Sequence, residues 1–212
     1  MTRSLWPLAV PLLVSCLFGC ASPAAAAPDR VAVGLERLQF RDDRLDEVYG
    51  GTLGVSISGD LVERRWGRLR LHLTLVPASG DPATPEFVDQ AETGLLFLPL
   101  RIQWLNATEL GTNVRLWGGP AATWTWFRES LDVEVPGAGV RARPEAVGTW
   151  LGAGALGGVR WCLGTAGALR LAYEWMWAPA DRRVVPGNEN QKTDMTGGWT
   201  ALSLAWEVPW IE

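Results

Sequence analysis

Three observations predict an all-β chain, folded as an eight-stranded antiparallel up-and-down β-barrel that crosses a membrane. Several segments carry an apolar residue at every second position, and the connections between them are alternately short and long. After residue 27, no apolar run reaches the roughly 18 residues that a membrane helix needs. A strand turns successive side chains to opposite faces, so each alternating segment has one greasy face and one polar or small face. Composition agrees. Of 212 residues, 13 are tryptophan and 24 are glycine, a bias toward strands over helices. The net charge of -4 points to neither a nucleic-acid binder nor a basic membrane-surface protein.

The leading segment reads as an export signal. Arg3 supplies the charged start, residues 5–18 form an apolar run too short to span, and small residues follow through Ala27, with Ala24-x-Ala26 as a cleavage site. The chain divides into a signal peptide, residues 1–27, and a barrel domain, residues 28–212. A competing reading takes Leu17-Phe18-Gly19-Cys20 as a lipoprotein box that would lipidate Cys20, although Phe18 is bulkier than that box usually accepts. Either route takes the mature chain out of the cytoplasm. Cys16 and Cys20 lie in this segment. Cys162 is then a lone thiol, read as inert packing, with no intrachain disulfide unless Cys20 is retained.

Eight strands follow. The first covers residues 31–40; its alternation breaks near Arg37, which predicts a bulge or an early end. The second, residues 49–59, sets Leu53, Val55 and Ile57 over Thr52, Gly54, Ser56 and Ser58. The third sets Leu69, Leu71, Leu73 and Leu75 over Arg68, Arg70, His72 and Thr74. The fourth sets Leu96, Leu98, Leu100, Ile102 and Trp104 over Phe97, Pro99, Arg101 and Gln103. The fifth, residues 114–127, sets Leu116, Ala122, Trp124 and Trp126 over Arg115, Trp117, Thr123 and Thr125. The sixth, residues 150–163, sets Leu151, Val159, Trp161 and Leu163 over several glycines. The seventh sets Leu169, Leu171, Tyr173, Trp175 and Trp177 over Arg170, Ala172, Glu174 and Met176. The last sets Leu202, Leu204, Trp206, Val208 and Trp210 over Ala201, Ser203, Ala205 and Glu207.

Between them, residues 41–47 form a polar connection of medium length and 60–63 a short one. Residues 77–93, 128–148 and 178–197 are long, whereas 106–112 and 164–167 are short. Outer-membrane barrels alternate in this way, with long outer loops and short periplasmic turns, which places both termini in the periplasm. An Arg or Lys at mid-bilayer costs roughly 2 to 4 kcal/mol, and the greasy faces of the four strongest strands carry no charge. The charges fall on the opposite faces: Glu36, Arg68, Arg70, Arg101, Arg115, Arg160, Arg170, Glu174 and Glu207. An eight-stranded barrel leaves room only for side chains, so these residues predict a paired lumen network that is closed to ions. Glu174 and Glu207 are expected to pair with arginines such as Arg170, Arg160 or Arg68. An anion-selective passage is the alternative, because arginines outnumber glutamates. Trp104, Trp124, Trp126, Trp175, Trp177, Trp206 and Trp210 sit near strand ends, as an interfacial girdle would.

The stretch Leu98-Pro99-Leu100 through Trp104, a short turn, and Val114-Arg115-Leu116-Trp117-Gly118-Gly119-Pro120-Ala121 resembles the porin-family and OmpA-like eight-stranded barrels. Leu169-Arg170-Leu171-Ala172-Tyr173-Glu174 resembles their penultimate strand. The resemblance implies an integral protein of bacterial outer-membrane lipid, inserted by the barrel-assembly machinery. Two features depart from it. Ile211-Glu212 follow Trp210, where the family's last strand usually ends on an aromatic residue. Pro120 stands where a second glycine is usual, and predicts a bulge because proline cannot donate to a ladder.

Other chemistry is weaker. Residues 152–157 match G-x-G-x-x-G, but period-two sequence follows where a dinucleotide site needs a helix. His72, the only histidine, has no recognisable catalytic partner on its strand, and no His or Cys cluster suggests a metal. The sequence therefore predicts a non-enzymatic barrel without cofactor, in a structural or surface-interaction role. The alternatives are a soluble periplasmic lipocalin-like barrel, with its leucine face turned inward on an apolar ligand, and a barrel-embedded lipid A-modifying enzyme.

Overall fold

A computed structural model describes residues 30–64, 67–80, 91–135, 140–142, 145–178, 181–184, 192–195 and 198–209. The signal segment with its lipoprotein box, and Trp210, lie outside the described residues. In chain order the strands are β1 (Arg30–Phe40), β2 (Gly51–Arg64), β3 (Gly67–Gly80), β4 (Ala91–Glu109), β5 (Val114–Val135), β6 (Val140–Ala142), β7 (Glu145–Cys162), β8 (Ala168–Trp177), β9 (Asp181–Val184), β10 (Lys192–Met195) and β11 (Trp199–Pro209). Eight of them, β1 to β5 with β7, β8 and β11, pair antiparallel in sequence order, and the β4–β5 and β1–β11 ladders close the ring. The ring of eight strands has no edge, as a membrane-spanning sheet requires.

Alternation decides inside from outside. Leu151 is 69% exposed and Arg101 is 0% exposed, so the greasy faces point out and the polar faces in. This overturns the leucine-inward arrangement that a soluble lipocalin-like barrel requires. The short connections all lie at the end of the barrel that holds both described chain ends, and the long ones lie at the far end.

Several local expectations are corrected. β1 runs in unbroken register to Phe40, so Arg37 marks neither a bulge nor an early end; it simply lies on the outer face near the far rim. The short connection expected at residues 60–63 is strand, because β2 continues to Arg64; Asp60 faces inward by the same alternation as Ser56 and Ser58, and an irregularity follows between Asp60 and Val62. The strands also run into the expected long loops, β4 starting at Ala91 and β5 reaching Val135. Within the last loop, β9 and β10 form a hairpin.

Pro120 causes no bulge. The pairing of β5 with β7 runs through it unshifted, and its pairing with β4 resumes in the same register on either side. Only the ladder contact toward β4 is missing, which is what a residue without N–H gives up. The neighbouring Gly119 explains how the strands stay together: a Cβ there would lie 1.9 Å from the Trp104 carbonyl oxygen.

The polar connection after β1 holds a helix, α1 (Asp43–Tyr49). Asp42 caps its start by accepting the Leu45 N–H at 3.1 Å, and Gly50, at φ +58°, ends it in the left-handed conformation that favours glycine. Leu45 and Tyr49 are buried and join Leu38, Phe40, Phe97, Phe127, Trp150 and Trp199 in one apolar plug. Phe97 lies edge-on to Phe40, Trp150 and Trp199, with ring centroids 5.2 to 5.6 Å apart.

The tight β4–β5 seam makes a prediction. Gly119→Ala is expected to destabilise the barrel by about 1 to 3 kcal/mol, because its new methyl meets backbone rather than a movable side chain. Gly157→Ala, whose methyl would meet nothing closer than 3.8 Å, is expected to stay within about 0.5 kcal/mol of the parent. Urea unfolding in detergent, followed by tryptophan fluorescence, measures both.

Candidate functional site: the charged lumen

Below the apolar plug the lumen becomes polar because β1, β4 and β8 each turn a charged residue inward at the same level, and β3 adds Thr74 and His72. Arg101 on β4 is the centre. Its two terminal nitrogens donate to the two oxygens of Glu36 on β1 at 2.6 and 2.8 Å, the bidentate geometry of a guanidinium and a carboxylate. One of them also donates to Glu174 on β8 at 3.0 Å, and the other contacts the Thr74 hydroxyl. Thr74 donates to Glu36 at 2.7 Å, Gln103 donates to Glu174 at 3.2 Å, and His72 Nε2 lies 3.2 Å from Glu36. Glu36, Arg101, Gln103 and Glu174 are all buried.

A second layer lies toward the chain ends. Asp60 accepts from Arg70 Nε at 2.6 Å and pairs with Arg68 at 2.8 Å. Arg68 also reaches Glu63 at 2.7 Å. Glu207 on β11 is held by Arg160 through two bonds of 2.9 and 3.1 Å, with Arg170 Nε 3.6 Å away. Arg170 donates to Ser58 at 2.9 Å, and Arg160 to the Cys162 sulfur at 2.8 Å. The indole of Trp117 lies beneath both Arg70 and Arg170, with centroid distances of 5.6 and 5.9 Å.

The structure thus brings together eight of the nine charged residues picked from sequence. Arg115 is the exception; it sits at the mouth, pairs with exposed Glu109 at 2.7 Å, and belongs to neither inner layer. Both glutamates pair with arginines as expected, Glu207 with Arg160 and Glu174 with Arg101 rather than with Arg170, Arg160 or Arg68. Sequence reasoning missed Asp60, Thr74 and Gln103 as members. Asp60 had been assigned to a turn, and its opposite-charge position across from Arg70 in the β2–β3 register is the signal that would have found it. Between the two layers, a space of about 20 Å³ is lined by Glu36, His72, Gln103, Trp117 and small residues of β8 and β11. That is room for about one water.

A closed ring of eight strands, a charge-paired interior and a greasy exterior decide the architecture. The chain is an eight-stranded barrel built like those of bacterial outer membranes. No family model and no curated protein sequence matches it. Among solved structures it is similar to Neisserial surface protein A, at 14% identity and a TM-score of 0.49, covering 85% of this chain and 96% of that one. It is also similar to the attachment invasion locus protein of Yersinia pestis, at 12% identity and a TM-score of 0.48, covering 84% and 96%. A third is the N-terminal β-barrel domain of Pseudomonas aeruginosa OprF, at 11% identity and a TM-score of 0.39, covering 86% and 99%.

Arg101 carries the next prediction. Arg101→Met strands two buried carboxylates and is expected to cost about 3 to 5 kcal/mol in urea unfolding, the usual effect of breaking a buried pair. Arg128→Met removes a 2.5 Å pair with Glu145 in which both side chains are nearly half exposed, and is expected to cost no more than about 1 kcal/mol. Equal effects would mean that the lumen pairs contribute no more than a surface pair.

Proposed function

We propose that this chain is a non-enzymatic integral protein of the bacterial outer membrane, with a structural or surface-interaction role and a lumen sealed against ions. In this reading residues 1–27 are removed on export, the barrel-assembly machinery inserts the strands, and outer-membrane lipid surrounds them. The single observation that carries it is the outer belt. From Leu169 to Trp177 every second residue faces outward and is apolar or aromatic. At about 3.3 Å per residue and a tilt near 40° that segment covers roughly 20 Å of height, close to the apolar band of a membrane barrel.

The belt has marked rims. Trp124, Trp175 and Trp177 are exposed at its far edge, where Arg41 lies 5.4 Å from the Trp175 ring, and Trp206 is exposed at the other. Indoles favour the headgroup level. Arg37 and Arg128 face outward only near the far rim, where a charge reaches water or headgroups. With short turns in the periplasm, the far end with α1 faces outside the cell. A sealed lumen follows from the two plugs: edge-on aromatics at the far end and the Arg101 network in the middle.

Four measurements test this reading. The protein is expected to remain in outer membranes after carbonate extraction, to migrate differently in detergent gels before and after boiling, and to give no steady porin-sized conductance in planar bilayers. A soluble product or a large anion-selective conductance would overturn it. For orientation, Glu47→Cys on α1, in a Cys162→Ala background, is expected to react with an impermeant maleimide on intact cells, and Thr165→Cys in the short β7–β8 turn is not. The opposite pattern would reverse the barrel.

A further inference from the structure

We propose that the lumen mouth at the chain-end side is a binding pocket for a phosphate group. A cavity of about 240 Å³ opens there, lined by Arg64, Arg68, Arg70, Arg115, Arg160 and Arg170 and by one acid, Glu63. The other acids that pair with these arginines are Asp60, Glu207 and Glu109. Six cations against four anions leave an excess of two positive charges around the cavity, among the described residues. A dianion matches that excess.

The arginines also hold unused donors. Arg70 gives only its Nε to Asp60, and Arg170 gives one terminal nitrogen to Ser58 while its Nε has no hydrogen bond. Both residues are at least 95% buried, and both line the cavity, so their guanidiniums are held in place at its wall. Arg64 has no ion pair among the described residues. Trp117 beneath Arg70 and Arg170 holds two guanidiniums side by side, an arrangement whose mutual repulsion an anion relieves. Planar guanidinium forks converging from several strands match the several oxygens of a phosphate better than they match a single carboxylate. The ligand is a phosphomonoester or pyrophosphate group, carried either by a soluble molecule or by a lipid headgroup.

Calorimetric titration of the mature protein, folded in a neutral detergent, tests this. The titrants are pyrophosphate, inorganic phosphate and short-chain dioctanoyl phosphatidic acid, with dioctanoyl phosphatidylcholine as the zwitterionic control. Saturable one-to-one binding of at least one phosphate titrant is expected, with none for the control. Binding of pyrophosphate or phosphate assigns a soluble ligand; binding of phosphatidic acid alone assigns a headgroup. Arg64→Gln, which breaks no ion pair, is expected to weaken binding about tenfold, the effect of one charge-assisted hydrogen bond. Arg70→Gln with Arg170→Gln is expected to abolish it, and Arg128→Gln on the outer rim to leave it unchanged. If no phosphate titrant saturates, or if Arg64→Gln and Arg128→Gln bind as the parent does, the pocket is not a phosphate site. The conductance measurement is independent of this one, so a leaky lumen and an empty pocket give separate failures.

Discussion

Closure of the hydrogen-bond ladder is the constraint on which the rest depends. Once β4 pairs with β5 and β1 with β11, the space inside is fixed, and every inward side chain must share it. Large residues are then possible only where the opposite wall is small. Arg70, Gln103 and Trp117 occupy the lumen because Ala172, Ala201, Ser203 and Ala205 face them across the same small space. The glycines of β7 do the same for its neighbours. A Cβ at Gly154 would lie 2.0 Å from the Trp175 carbonyl oxygen, and one at Gly158 would lie 2.2 Å from that of Leu171. The glycine-rich sixth strand is thus a packing device rather than a phosphate loop.

Charges inside such a ring are tolerated because they arrive in opposed sets. The Arg101 layer holds two carboxylates against one guanidinium, and the layer nearer the chain ends holds an excess of guanidiniums. Glu36 and Glu174 line the same small space as Arg70 and Arg170, so the negative excess of one layer faces the positive excess of the other. Each layer therefore relieves some of the other's desolvation cost. Buried ion pairs often add little net stability, but leaving one member unpaired is costly. The network specifies which strands meet at that level more than it supplies binding energy: Glu36 on β1, Arg101 on β4 and Glu174 on β8 satisfy one another only in this register.

Period-two alternation made the barrel legible in the sequence, because eight greasy outer faces write the pattern directly. The charged set was legible for the same reason, since each member lies opposite an apolar neighbour in its strand. Partner choice was not, because pairing across the lumen depends on strand tilt and stagger, which alternation within one strand does not encode. The far end was obscured for a different reason. Phe97, Phe127 and Trp150 point inward beside the outward apolar residues Leu96, Leu98, Trp126 and Leu151, so both faces are greasy there and the period is masked. Helix α1 was hidden by its length: Leu45 and Tyr49 are its only buried apolar residues, although Asp42 and Gly50 carried its start and stop signals.

The two ends of the barrel are physically unlike, and this gives the lumen a direction. At the far end, Tyr49 of α1 donates to Glu129 at 2.8 Å and lays the helix over a cluster of edge-on aromatic rings. An ion entering from that side would have to shed its water against phenyl and indole rings, at a penalty of several kcal/mol. At the other end the wall is guanidinium, open to solvent and short of acids. An anion entering there trades water for oriented N–H donors and then meets the Arg101 layer, where two carboxylates repel it. The attractive wall, the repulsive layer and the apolar seal follow one another along the axis. On the reading proposed above, the lumen is a blind pocket for anions that opens on one side only, and the order of these three layers, rather than its width, sets what it accepts.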